Sequence, residues 1–110
     1  GENRAPLVTS LTGAGGETEL RVRPGERFGV RVRGEDADGD RVTHRVWIIA
    51  KTSRSYGVVG GPFETDAEGL VTLTAPGEAR TDCLVMAYAL DGAGGGSATT
   101  MPLLVAEGDG

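Results

Sequence analysis

Turn signals recur along this chain at short, nearly even intervals, and nothing else in it constrains the fold as strongly. They read GAGG at 13–16, PG at 24–25, GEDADGD at 34–40, GGP at 60–62, DAEG at 66–69, PGE at 76–78 and DGAGGG at 91–96. Glycine supplies positive φ, proline presets φ, and aspartate side chains accept backbone N–H bonds in tight turns. Between these points apolar and polar residues alternate with a period of two. No window carries apolar residues at i, i+3, i+4 and i+7. Glycine, at 19 of 110 residues, is also too frequent for stable helices. Seven or eight short strands at this spacing predict an all-β antiparallel sandwich with Greek-key connections.

The expected strands are Pro6–Thr12, a short Glu19–Arg23, Glu26–Arg33, Arg41–Lys51, a poorly patterned edge segment over Ser55–Thr65, Leu70–Ala75, Cys83–Leu90 and Ser97–Val105. Pro102 has no amide to give a ladder, so the last strand is expected at an edge or bulged there. One domain over 6–105 accounts for the pattern, with an opening linker at 1–5 and a flexible tail at 106–110.

The formal charge is −5, and ten of the eleven basic residues are arginine. An acidic chain with no basic cluster is not expected to take nucleic acid as its partner. No apolar run is long enough to cross a bilayer, so membrane insertion is not expected. The lone Cys83 cannot form an internal disulfide and says nothing of the compartment.

The opening NRAPLV, the block RPGERFGVRVRGEDADGDRVTHRVW, the strand GLVTLTAP and the hairpin YALDGAGGGSATT follow in an order that resembles bacterial immunoglobulin-like modules of the polycystic-kidney-disease (PKD) and cadherin-like type. The resemblance spans nearly the whole chain. It implies an immunoglobulin-like β-sandwich, and a place as a spacer or docking element appended to exported enzymes, often carbohydrate-active ones. It therefore implies an extracytoplasmic location within a larger protein. The chain departs from the pattern twice. Where the related modules place an inward aromatic and then a tryptophan after DGD, this chain has His44 and Val46, and Trp47 falls on the opposite face. Where the penultimate strand begins with an inward tyrosine, this chain has Cys83.

The acidic stretch at 35–40 is read first as a polar turn. A helix-loop-helix calcium loop needs glycine at its sixth position and a glutamate at its twelfth. Counted from Asp36, glycine comes fourth and the twelfth residue is Trp47, so that motif fails. A cadherin-like calcium site remains the alternative, with Asp36, Asp38 and Asp40 as ligands, joined by Glu2 or Asn3 from the linker side. Ionised carboxylates so close together repel unless they are solvated or bridged by a cation. No other cofactor is expected.

Catalysis is not expected. His44 and Cys83 as a nucleophile pair would need an orienting group, an oxyanion hole and a cleft. Nothing fixes the separation of carboxylates such as Glu64 and Asp82 at the value a glycosidase needs. Arg27, Arg31 and Arg33 form one stripe, and Arg21 with Arg23 another. Either could hold a sulfated or uronic-acid polymer, although most such stripes are solvated faces.

The strongest anomaly is apolarity on both faces of two strands, in VWII and CLVMAYAL. If Val42, Val46, Ile48, Val85, Ala87 and Ala89 point inward, then Trp47, Ile49, Leu84, Met86, Tyr88 and Leu90 point outward. The two strands are expected to be neighbours, which would gather the outward set into one patch of the kind that marks interfaces. Two readings stay open: either the patch docks a partner, or the segment around Ser55–Phe63 folds across and covers it. The leading expectation is a non-catalytic accessory module. Its Trp47, Ile49, Met86 and Tyr88 would pack against a neighbouring domain or a protein partner. The alternative is a carbohydrate-binding or interdomain calcium-binding module, with sugars stacked on Trp47 and Tyr88.

Overall fold

The computed structural model describes residues 7–35, 43–66, 68–90 and 96–108. These residues form eight strands and no helix: β1 Leu7–Gly13, β2 Leu20–Val22, β3 Arg27–Glu35, β4 Thr43–Lys51, β5 Tyr56–Glu64, β6 Leu70–Thr74, β7 Arg80–Leu90 and β8 Gly96–Val105. They make two sheets, one of three strands in the order β1-β3-β6 and one of five in the order β2-β8-β7-β4-β5. Consecutive strands share a sheet only at β4–β5 and β7–β8; every other connection passes between the sheets.

Alternation within the strands builds one core between the layers. Phe28, Val30 and Val32 of β3, with Val71 and Leu73 of β6, meet Val46, Ile48 and Ala50 of β4 and Cys83, Val85 and Ala87 of β7. Met101, Leu103 and Val105 close it from β8, and Leu11 and Val22 from the first two strands. Ile48, Leu73, Val30 and Val85 are wholly sequestered from solvent. Each such side chain contributes about 1.5–3 kcal/mol of transfer free energy.

Turns follow the chemistry of the punctuating residues. In the β5–β6 connection the Asp66 carboxylate accepts the amides of Glu68 and Leu70, and the Gly69 amide donates to the Asp66 carbonyl. In the β4–β5 hairpin the Thr52 hydroxyl accepts the Arg54 and Ser55 amides. Thr52 returns its own amide to the Ser55 carbonyl at 2.6 Å.

The first strand pair splits between layers. β1 runs antiparallel to β3, whereas β2 runs parallel to β8 through Leu20–Leu103, Arg21–Leu104 and Val22–Val105. The Ala106 amide extends that pairing by bonding the Val22 carbonyl at 2.9 Å.

β8 differs from the expectation drawn from Pro102. It lies inside the sheet, and its register with β7 passes unbroken through Leu84–Pro102. The proline is accommodated because β2 pairs only with Leu103–Val105, so no β2 ladder bond is needed beside it.

Candidate functional site

β4 and β7 are neighbours, in the order expected for a patch. Their antiparallel register places Arg45 opposite Tyr88, Trp47 opposite Met86 and Ile49 opposite Leu84. The residues between them, Val46, Ile48, Val85, Ala87 and Ala89, are fully buried on the inner side. Trp47, Ile49, Leu84, Met86 and Tyr88 therefore share the outer face. Residues directly opposite on antiparallel strands lie about 4.5–5.5 Å apart at Cβ, so these pairs touch as rungs.

The rungs continue onto both flanking strands. On β8, Ala98 lies opposite Tyr88, Thr100 opposite Met86 and Pro102 opposite Leu84. On β5, Glu64 lies opposite Arg45, Val58 opposite Ile49 and Tyr56 opposite Lys51. Ile49 thus sits at the centre of the face, ringed by Trp47, Lys51, Leu84 and Val58. Its exposure is only 8%, while Trp47, Leu84, Met86 and Tyr88 are half-buried.

β5 settles how the segment around Ser55–Phe63 behaves. It does not fold across the patch; it pairs edgewise with β4 and widens the face. Over the span where β4 uses Arg45–Lys51, β5 uses Tyr56–Glu64, two residues more. One extra residue lies opposite Trp47, between the Val46–Phe63 and Ile48–Gly60 pairs. The other is Val59, between the Ile48–Gly60 and Ile49–Val58 pairs. Bulges of this kind bend a strand and re-aim its side chains. The large hydrophobic residues left exposed among the described residues are Tyr56, Val58 and Val59, at 52%, 59% and 40%, all at the start of this strand.

The bulge beside Trp47 depends on Gly61. Its φ is +99°, and a Cβ there would lie 2.8 Å from the Val46 carbonyl oxygen and 3.2 Å from the Trp47 Cα. Only glycine lets β5 approach β4 so closely at this point. In the sequence GGP signals a turn, and nothing in it announces this close approach between two paired strands.

The remaining candidates are placed apart. Asp36, Asp38 and Asp40 lie outside the described residues, as do Glu2 and Asn3. His44 pairs with Ala89 and Cys83 with Ala50, so six residue steps along β4, about 20 Å, set them apart. Cys83 is buried, and burial pushes its thiol above the usual range, which keeps it protonated. His44 faces inward; its Nε2 is buried with no hydrogen-bond partner among the described residues, and desolvation lowers its pKa.

Glu64 pairs with Arg45 at one end of β4, whereas Asp82 lies on β7 near the other end. Strand geometry sets those carboxylates roughly 20 Å apart, more than twice the widest glycosidase spacing of about 9.5 Å. Asp82 is instead held by Arg80 through a two-point contact, Nε to Oδ1 at 3.0 Å and Nη2 to Oδ2 at 3.2 Å. The pair lines a shallow groove of about 580 Å³ beside Leu104 and Glu107.

The arrangement is therefore an apolar sheet face with a charged margin of Arg45, Glu64, Lys51 and Asp82. It can bury surface; the described residues bring no nucleophile and base together on it. Neither a scan against protein-family models nor a search of curated proteins finds a match to this chain.

Proposed function

We propose that the chain is a non-catalytic accessory module that docks onto a neighbouring domain of the same polypeptide, or onto a protein partner, through the outer face of its five-stranded sheet. The carrying observation is the set of rungs Trp47–Met86 and Ile49–Leu84, extended by the bulged start of β5. From β5 to β8 and from Arg45 to Lys51 the face spans about 14 Å by 20 Å, roughly 290 Å² in outline. A standard interface buries about 800 Å² per partner, with an apolar centre and a polar rim. The rungs supply a centre of fitting size, and Arg45, Glu64, Lys51 and Asp82 supply the rim. Burial of apolar surface at about 25 cal/mol per Å² drives the contact, less the ordering costs of association.

The module is of immunoglobulin-like, PKD or cadherin-like type in this reading, carried outside the cytoplasm on a larger protein. The strand orders, the parallel β2–β8 pair and the crossings between sheets support that assignment alongside the motif order in the sequence.

Photo-crosslinking tests the docking face. A crosslinking side chain replaces Met86 on the proposed face or Thr72 on the other sheet, in the organism that makes the protein. One recurrent protein adduct from position 86, lost on Trp47→Ala, and no protein adduct from 72 are expected. Equal capture of protein from both positions would defeat the proposal.

A further inference from the structure

The outer face of the three-stranded sheet has the opposite chemistry. Because Phe28, Val30 and Val32 turn into the core, the alternate residues Arg27, Arg31 and Arg33 turn outward along β3. β1 places Thr12 opposite Arg31 and Ser10 opposite Arg33. β6 places Thr74 opposite Arg27 and Thr72 opposite Gly29. Among the described side chains, the outward positions of these strands hold no carboxylate, in a chain with 16 acids; that of Glu35 lies outside the described ones. Arg21 and Arg23 do not join this face, since β2 belongs to the other sheet.

We infer that this face binds an anionic polysaccharide, one bearing carboxylate or sulfate groups, laid along β3. Arg31 lies four residue steps beyond Arg27, about 13 Å, and Arg33 two steps further, about 7 Å, which makes a track about 20 Å long. Arg33 takes part in an interaction within the chain, so Arg27 and Arg31 lead the recognition. A guanidinium offers a planar fork that fits carboxylate and sulfate oxygens two at a time. The hydroxyls of Ser10, Thr12, Thr72 and Thr74 flank the track with groups that both donate and accept, as sugar hydroxyls do.

The same face argues against nucleic acid. Its outward positions carry no aromatic ring on which a base could stack.

The test uses heparin as the sulfated probe, polygalacturonate as the carboxylated one and a DNA duplex as the competing class. R27Q/R31Q is compared with R21Q/R23Q, which removes equal charge from the other sheet. Retention of the wild type on at least one polysaccharide at low salt is expected, weakened about tenfold or more in R27Q/R31Q and unchanged in the control. Amide shifts of the wild type on adding the bound probe are expected at 10–12, 27–33 and 72–74, a readout that needs no variant to fold. Failure to bind either polysaccharide, equal loss in both variants, tighter binding of the duplex, or shifts confined to the five-stranded sheet would each overturn the inference.

Discussion

Trp47 and Met86 stand directly opposite one another across the β4–β7 ladder, on the side of the sheet away from the core. Their chain neighbours Ile48 and Val85 form the next rung and are wholly buried on the other side. Adjacent residues thus separate stability from surface chemistry. Ile48→Ala should cost about 2–5 kcal/mol through lost burial and a residual cavity. Trp47→Ala should cost less, leave a cooperative fold and remove docking. Urea midpoints of the two variants check the order; a larger loss at Trp47 would assign it to the core.

Gly61→Ala tests the bulge. The added methyl would meet the Val46 carbonyl and the Trp47 Cα in a left-handed backbone conformation, for a cost of about 1–3 kcal/mol. The amide resonances of 46–48 should shift with it. A variant as stable as the parent would show that β5 can pass β4 without this approach.

The only histidine should make stability depend on pH. His44 titrates below its ordinary 6.5 in the fold because burial disfavours the imidazolium. Between the two pKa values the unfolded chain binds more protons, so stability rises with pH there. The contribution is fully present above the unfolded value, declines as pH falls through it, and levels off below the folded value. Urea midpoints at about pH 7.5 and about pH 5.5 should differ in that direction. In His44→Leu this component should vanish; an unchanged slope would assign the pH dependence to other groups.

Cys83 should behave as a concealed thiol. It is buried among core residues and its pKa is raised, so a thiol-specific reagent should label the native chain only as it opens. Labelling should accelerate sharply across the urea transition. Rapid reaction in native buffer would contradict the packing described for the start of β7.

Much of the framework is legible because period-two alternation and turn chemistry agree. The inward residues Val46, Ile48, Val85, Ala87 and Ala89 follow from alternation alone, and so does the outward set opposite them. Legibility fails where the register slips. The two extra residues in β5 break alternation, so the strand reads as poorly patterned and its place beside β4 rather than above the patch cannot be read. β7 begins at Arg80, ahead of Cys83, because a register shift between those residues hides its first turn of alternation. The interior position of β8 is hidden as well. A three-residue β2 is enough to cover its far side, and nothing in so short a segment announces a parallel partner.

That small parallel pair has a mechanical meaning. β2 and β8 run in the same direction, so tension that draws β2 toward the N-terminal side and β8 toward the C-terminal side slides one along the other. Its amide contacts, with the one from Ala106 to Val22, are then strained together instead of being peeled open singly. A domain strung between others on an extended polypeptide would meet stretching force with a clasp between its second and last strands.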